Sequence, residues 1–148
     1  MEYTDYFEPI RKWAYDRNII VGSTEQAQFT KLIEEIAEIE SDPVDGIGDS
    51  FVVLAIIAAQ CGINLENVEP KYSEKFLLDD LGLLASCLSK SKPVYEAIAI
   101  LHGTLSGFAS MHQVDIVDCM EAAWSEIKDR KGKMIDGVLV KEADLKEE

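Results

Sequence analysis

One uninterrupted apolar run constrains the fold of this chain most. Residues 51–59, read Phe-Val-Val-Leu-Ala-Ile-Ile-Ala-Ala, are all apolar, and a helix built from them would be hydrophobic on every side. The run is too short to span a bilayer, which takes about 20 residues. The sequence therefore predicts a buried central helix with the other elements packed around it.

Apolar residues at spacings of three and four predict helices on both sides of this run. The spacing of Phe7, Ile10, Trp13 and Ala14 predicts a first helix over residues 4–17. Further helices are predicted over residues 25–39, 44–61, 68–78, 79–88, 93–111 and 114–129. Only the Asp136-Gly137 pair, between short apolar runs, predicts a strand turn. We expect one domain, residues 1–148, folded as an all-α antiparallel bundle with a short C-terminal hairpin or tail.

Composition narrows the functional classes. Hydrophobic residues make up 47% of the chain, which excludes a disordered protein. The formal net charge of -14 opposes binding to a nucleic-acid backbone, which requires a basic surface. An acidic protein can still bind a phosphorylated small molecule when divalent cations lie between the two.

Cysteine use and the N-terminal sequence predict a cytoplasmic protein. Cys61, Cys87 and Cys119 are odd in number and widely spaced, which is typical of core cysteines in a reducing compartment. The acidic N-terminus lacks the apolar core of a signal peptide. We expect no membrane association.

Five carboxylates precede the apolar run. At about 100° per residue, Glu34, Glu35 and Glu38 share one sector of the second major helix, and Asp45 and Asp49 lie one turn apart on the next helix. The short connection predicts an antiparallel helical hairpin, in which the two acidic faces meet near the connected end.

Oxygen ligands alone favour a hard cation, Mg²⁺ or Mn²⁺. The ordinary alternative is a solvated acidic face, which is common at helix starts. A di-iron bundle would need Glu-x-x-His motifs, and neither His102 nor His112 stands in one. The segment 42–49 does not fit an EF-hand.

The motifs Lys31-Leu-Ile-Glu-Glu-Ile-Ala-Glu38 and Asp45-Gly-Ile-Gly-Asp49 resemble the paired acidic signature of the MazG-like all-α nucleoside triphosphate pyrophosphohydrolases. The resemblance extends over most of the chain. The first helix and Gln28 match the family's N-terminal part, and residues 123–137 are similar to the closing motif of phage-encoded members. One departure is Gly46. The usual second motif has its two acids three residues apart, whereas here they are four residues apart. The resemblance therefore supports a ligand role for Asp49 more directly than for Asp45.

The resemblance implies hydrolysis of a nucleoside triphosphate to the monophosphate and pyrophosphate. It implies Mg²⁺, with Mn²⁺ as a substitute, held by Glu34, Glu35, Glu38 and Asp49, with Asp45 as a further ligand. One of the first four would accept a proton from the attacking water, and which one stays open, as does the number of metal ions. The closing motif favours a deoxynucleotide such as dGTP, dATP or dUTP, and a host-cytoplasm location if the chain is phage-encoded. Members of the family pair their hydrophobic helices between subunits, so the resemblance also implies a homo-oligomer, either a dimer or a tetramer.

The remaining candidate residues would bind substrate: Lys31, Gln28, Trp13, Lys75, Arg130, Lys131 and Lys133. Each has an ordinary alternative. Lys31 can pair with Glu35 one turn later, and Lys75 can be solvated. The basic segment 130–133 can complement the preceding helix end. Trp13 can be a core residue, and Gln28 can lie on the surface.

A rival interpretation is a non-catalytic acidic helical adaptor, whose carboxylates are merely solvated. The two interpretations differ at Glu38 and Asp49, because an adaptor has no use for carboxylates on facing helices.

Overall fold

The predicted all-α class is confirmed. The structure, a computed structural model, describes residues 1–130 and the strands 132–135 and 138–141. The helices are α1 Phe7–Asp16, α2 Ile19–Gly22, α3 Glu25–Ala37, α4 Pro43–Gln60, α5 Leu77–Ser89, α6 Tyr95–Met111 and α7 Ile116–Ile127, with 3₁₀ turns at Tyr3–Tyr6 and Leu65–Asn67.

The C-terminal hairpin is confirmed too. Strand β1, Gly132–Ile135, pairs antiparallel with β2, Val138–Lys141, and Ile135 lies opposite Val138. The Asp136-Gly137 turn itself lies outside the described residues. Strand β1 begins five residues after the last residue of α7.

Helix α4 is the central element. Every residue from Phe51 to Ala59 is buried, because α1, α2, α3, α6 and α7 all pack against this helix. By length and composition α4 could cross a membrane, but 72% of it is buried inside the bundle. That degree of burial is typical of a core helix.

The apolarity of α4 does not require a second subunit. In the family that the sequence resembles, hydrophobic helices pair between subunits. Here, Phe51, Leu54 and Ile57 are fully covered by helices of the same chain. Oligomer formation stays a prediction, without support from this segment.

The α3–α4 hairpin forms as expected, with defined caps. Thr24 caps α3 by accepting a hydrogen bond from the Ala27 amide at 3.0 Å, and Asp42 caps α4 with Pro43 in its first turn. Gly46 then lies against the backbone of Ile39, where a Cβ atom would approach the Ile39 Cα atom to 2.8 Å. The connection after α3 therefore lies tightly against the start of α4, beside the acidic residues.

A second close approach joins α4 to α7. A Cβ atom on Gly48 would collide with the carbonyl oxygen of Cys119. Cys119, Met120 and Ala123 form the buried face of α7. This packing brings the last turn of α7 to the acidic end of the α3–α4 hairpin.

The prediction of a helix over residues 68–78 is wrong for its first nine residues, because α5 begins only at Leu77. Pro70 disfavours a helical conformation at the residue before it. The Lys71 amide donates a hydrogen bond to the Ala99 carbonyl at 2.8 Å, and Gly103 makes room for the Lys71 backbone. Tertiary hydrogen bonding to α6 thus replaces the helical ladder in this segment.

Candidate metal centre and substrate cavity

Three carboxylates meet where α4 and α7 pack. One oxygen each from Asp45, Asp49 and Glu126 lies within 4.8 Å of the other two. Asp45 and Asp49 come from the first two turns of α4, and Glu126 comes from the last turn of α7. We call these three residues the carboxylate cluster.

Sequence reasoning missed Glu126. It is flanked by Ser125 and buried Ile127, and within the segment 123–137 no sequence spacing relates it to the acids of α3 and α4. The available signal was its spacing of four residues before Arg130, since Arg130 donates a hydrogen bond to the Glu126 carboxylate at 3.0 Å. A predicted ion pair between Glu126 and Arg130 would have placed an acid beside the basic segment 130–133.

Asp49 has the most perturbed carboxyl group of the site. Its pKa is raised from 3.8 to about 7, first because burial removes water and then because Asp45, Glu35 and Glu126 are negative. Among the described residues, Arg130 lowers this pKa. The protein therefore holds a carboxylate where its charge is unfavourable unless a cation approaches.

Glu35 and Asp45 show the same tendency. Burial raises the pKa of Glu35, and Glu38 raises it further while Lys31 lowers it. Burial also raises the pKa of Asp45, with Glu126 the largest charge effect. Both facing helices thus present partly desolvated acids to one another.

The predicted acids on α3 differ in their surroundings. Glu35 is half-buried, whereas Glu34 and Glu38 are exposed, and Glu38 is the C-terminal cap of α3. The charge of Glu38 acts on both Glu35 and Asp45. The structure therefore brings Glu35, and at longer range Glu38, toward the carboxylate cluster, while Glu34 lies at the margin. The ligand roles of Glu34 and Glu38 stay predictions.

The backbone leaves no room for a side chain at Gly46. Any side chain at this position would meet the backbone of Ile39, so an acid cannot stand there while α3 and α4 keep their spacing. Asp45 and Asp49 remain on one face of α4, and Glu126 adds a carboxylate from α7.

A cavity of about 140 Å³ adjoins the acids. Its polar lining includes Glu35, Asp49, Glu126, Lys31 and Arg130, and its apolar lining includes Val52, Val53 and Ile56 of α4. The cavity thus joins the acidic end of α4 to the buried stretch that follows. Charged and apolar walls in one cavity suit a ligand with both kinds of surface.

Two predicted substrate-binding residues, Trp13 and Gln28, also line this cavity. Each is only 6% exposed, so the surface alternative for Gln28 is wrong. The Arg17 guanidinium lies over the Trp13 ring, 5.2 Å from its centroid, and its Nε donates a hydrogen bond to the Arg130 carbonyl. Arg17 therefore connects α1 to the residue that pairs with Glu126.

The predicted cations are divided between different places. Lys31 is exposed and Arg130 is half-buried at the cavity. Lys75 is exposed and borders a separate open groove of about 910 Å³ before α5, and its substrate-binding role stays a prediction. Lys131 and the side chain of Lys133 lie outside the described residues.

The donor set fits a divalent cation. All three members of the carboxylate cluster offer oxygen atoms, the ligands that Mg²⁺ and Mn²⁺ prefer. Burial is the main cause of the raised pKa of Asp49, and repulsion from neighbouring acids adds to it, so a cation would offset both effects. The residues present therefore suit a hard metal ion better than a soft one.

Comparison with known proteins finds a similarity to a phage protein. The chain is 46% identical over 59 residues to an uncharacterised 18.2 kDa protein in the rep-hol intergenic region of Haemophilus phage HP1 (strain HP1c1). The match covers 34% of this chain and 36% of the phage protein, so it spans about a third of that protein's length. No family model matches the chain, and no solved structure matches it. A phage protein is therefore a relative of this chain.

Proposed function

We propose that this protein is a divalent-cation-dependent pyrophosphohydrolase of MazG type, which hydrolyses a nucleoside triphosphate to the monophosphate and pyrophosphate. The substrate would be a deoxynucleotide, and the product would enter the nucleotide pool of a phage-infected cell. A homo-oligomer in the cytoplasm belongs to the same proposal.

The observation that supports this function is the carboxylate cluster beside a partly apolar cavity. Oxygen atoms of Asp45, Asp49 and Glu126 lie within 4.8 Å of one another, and the adjoining cavity has walls suited to a flat organic group. A triphosphate needs cations between itself and these acids, and its base needs an apolar pocket. Both requirements meet along α4.

The division of labour follows from the positions of the side chains. Asp45, Asp49, Glu126 and Glu35 would hold Mg²⁺, which when bound neutralises phosphate charge and makes a water more acidic. One of the carboxylates beside the metal would accept a proton from the attacking water. Lys31 and Arg130 at the cavity would contact phosphate oxygens.

The adaptor alternative is disfavoured by the burial of Asp49. A solvated acidic face keeps its carboxylates in water, whereas burial is the largest cause of the raised pKa of Asp49. A binding module without a cation would gain nothing from that desolvation.

The deciding experiment is incubation with each NTP and dNTP in the presence of Mg²⁺ or Mn²⁺, followed by ion-exchange chromatography. Equal amounts of monophosphate and pyrophosphate support the proposal. Diphosphate with orthophosphate, or no turnover with either metal, would overturn it. Asp49→Asn is expected to abolish turnover while the circular dichroism spectrum stays helical, and near-normal activity would remove Asp49 from the site. Glu38→Gln tests the ligand role that the resemblance implies for Glu38: lost turnover would support that role, and near-normal activity would exclude it.

A further inference from the structure

Exposed apolar side chains are concentrated around the start of α5. Of the ten large hydrophobic side chains that lie exposed among the described residues, four fall within residues 72–83: Tyr72, Phe76, Leu78 and Leu83. Phe76 is 84% exposed and Leu78 is 80% exposed. Apolar side chains gathered in this way on one surface typically mark an interaction site. We call residues 72–83 the α5 patch.

The α5 patch combines projecting side chains with a groove. Tyr72 and Leu83 line the open groove of about 910 Å³, together with Ile100 of α6. Phe76 and Leu78 belong to the same stretch of chain but do not line the groove, and both are exposed beside it. A surface with both a projecting and a receiving part can be complementary to itself, which is what a two-fold symmetric contact requires.

The distribution of charge favours a second copy of this chain as the occupant. Residues 71–96 include every residue that lines the groove except Ile100, and they carry four Lys and four Asp or Glu side chains. The net charge of this segment is therefore zero, and the whole formal charge of -14 lies on the rest of the chain. Two copies would repel one another across their acidic surfaces, whereas the α5 patch can face its own copy without that repulsion.

Two charged residues of the patch are available to pair across such a contact. Lys71 is paired with Glu96 at 2.9 Å, but Lys75 and Asp79 form no ion pair with each other or with any other residue that the structure describes. Both line the groove. A two-fold axis that passes between them would place Lys75 of each copy beside Asp79 of the other, which gives two ion pairs for one contact.

We infer that the α5 patch is a contact surface between two copies of this chain. Phe76 and Leu78 of each copy pack into the groove of the other, and Lys75 pairs with Asp79 across the contact. The groove shares no lining residue with the cavity beside the acids, so the contact uses residues that the proposed substrate does not. The inference rests on the homo-oligomer named in the proposed function and assigns a surface to it, while hydrolysis itself is not assumed.

Sedimentation velocity of the full chain from about 1 to 200 µM measures the association. The wild type is expected to be dimeric in the upper part of this range. Leu78→Asp should weaken dimer formation at least about 100-fold, because it places an unpaired charge in the apolar contact. Val21→Asp is the matched control and should associate like the wild type, since Val21 is also 80% exposed but lies on α2, outside the patch. Circular dichroism and thermal melting verify that both variants fold.

An exchange of charges tests the two-fold arrangement. Lys75→Asp would place acids opposite acids, and Asp79→Lys would place bases opposite bases, so each variant alone should associate at least about tenfold more weakly than the wild type. A one-to-one mixture of the two variants should dimerise again, because every contact across the axis then joins opposite charges. An unrelated partner or non-specific aggregation would not produce this recovery.

The outcomes distinguish this inference from the proposed function. A wild type that stays monomeric at about 200 µM, a dimer that survives Leu78→Asp, or equal losses in Leu78→Asp and Val21→Asp would overturn the inference. A mixture that is no more dimeric than its two components would overturn it as well. A dimer that hydrolyses no triphosphate keeps the contact and removes the proposed catalysis, whereas an active monomer does the reverse.

Discussion

The carboxylates of Asp49 and Glu126 lie within 4.8 Å of one another, although they belong to different helices, α4 and α7. The contact depends on Gly48, which lets α7 approach α4 closely at Cys119. Helix α3 supplies Glu35, α4 supplies Asp49 and α7 supplies Glu126. The acidic site is therefore built from three helices. A two-helix hairpin alone would leave it incomplete.

The first prediction concerns Glu126. Glu126→Gln removes one charge from the carboxylate cluster and should weaken Mn²⁺ binding about tenfold or more, with turnover falling roughly 10²-fold. Isothermal titration with Mn²⁺ and the product assay measure the two effects. Glu121→Gln, on the same helix but outside the cluster, should leave both unchanged. Wild-type Mn²⁺ affinity in Glu126→Gln would exclude this residue as a ligand.

The second prediction concerns pH and Asp49. Since its pKa is about 7 in the folded chain and 3.8 is the ordinary value, the folded state binds the proton more tightly. The free energy of unfolding in EDTA should therefore fall as pH rises from about 4 to 7, by at most about 1.4 kcal/mol per pH unit from this group.

The variant Asp49→Asn tests whether Asp49 causes this dependence of the free energy of unfolding on pH. At pH 8 in EDTA the variant should be more stable than the wild type by roughly 1–3 kcal/mol, and near pH 4 the difference should vanish. Urea unfolding at several pH values measures this, with Asp16→Asn, an exposed carboxylate, as the charge control. Adding Mg²⁺ should stabilise the wild type more than Asp49→Asn. Equal pH slopes in wild type and Asp49→Asn would show that Asp49 is not perturbed.

The third prediction compares two helical glycines. Gly46→Ala places a Cβ atom 2.8 Å from the Ile39 backbone, so the α3–α4 hairpin must separate, and the free energy of unfolding should fall by about 1–3 kcal/mol. Gly82→Ala has open space around the new Cβ atom and should gain about 0.5–1 kcal/mol from helix propensity. Urea unfolding of both variants gives the comparison, and a stabilised Gly46→Ala would contradict the close approach.

The fourth prediction concerns Arg17 as a positioning residue. Arg17→Met removes the hydrogen bond to the Arg130 carbonyl and the contact over Trp13, which should lower kcat/KM about tenfold. The control is Arg11→Met on the same helix, which breaks the ion pair with Glu66 at 2.5 Å and should reduce stability without reducing kcat/KM. Equal losses of activity in the two variants would mean that Arg17 acts only through stability.

The sequence predicted the helices whose apolar spacing is regular and whose ends carry caps. Helix α3 was expected from residue 25 and begins at Glu25, because Thr24 provides the cap. Helix α4 was expected from residue 44 and begins at Pro43, after the Asp42 cap. The segment before α5 was missed because its backbone bonds to α6, a long-range contact that local spacing does not contain.

The site was predictable where its acids share one helical face and unpredictable where a distant helix contributes. Glu35, Asp45 and Asp49 follow from the hairpin formed by α3 and α4. Glu126 does not, because its place in the carboxylate cluster depends on how α7 packs at Gly48. The burial of Trp13 and Gln28 is likewise a property of packing, since each residue type alone is equally suited to a core or a surface.

Helix α4 carries both ends of the proposed site on one rigid rod. Asp49 and Ile56 are seven residues apart along it, a rise of about 10 Å in an α-helix. A single buried helix therefore fixes the distance between the part of the site that would bind the charged end of a ligand and the part that would bind its ring. Substitutions on α1 or at the start of α3 can therefore alter which ring is accepted while the charged end of the proposed site stays in place.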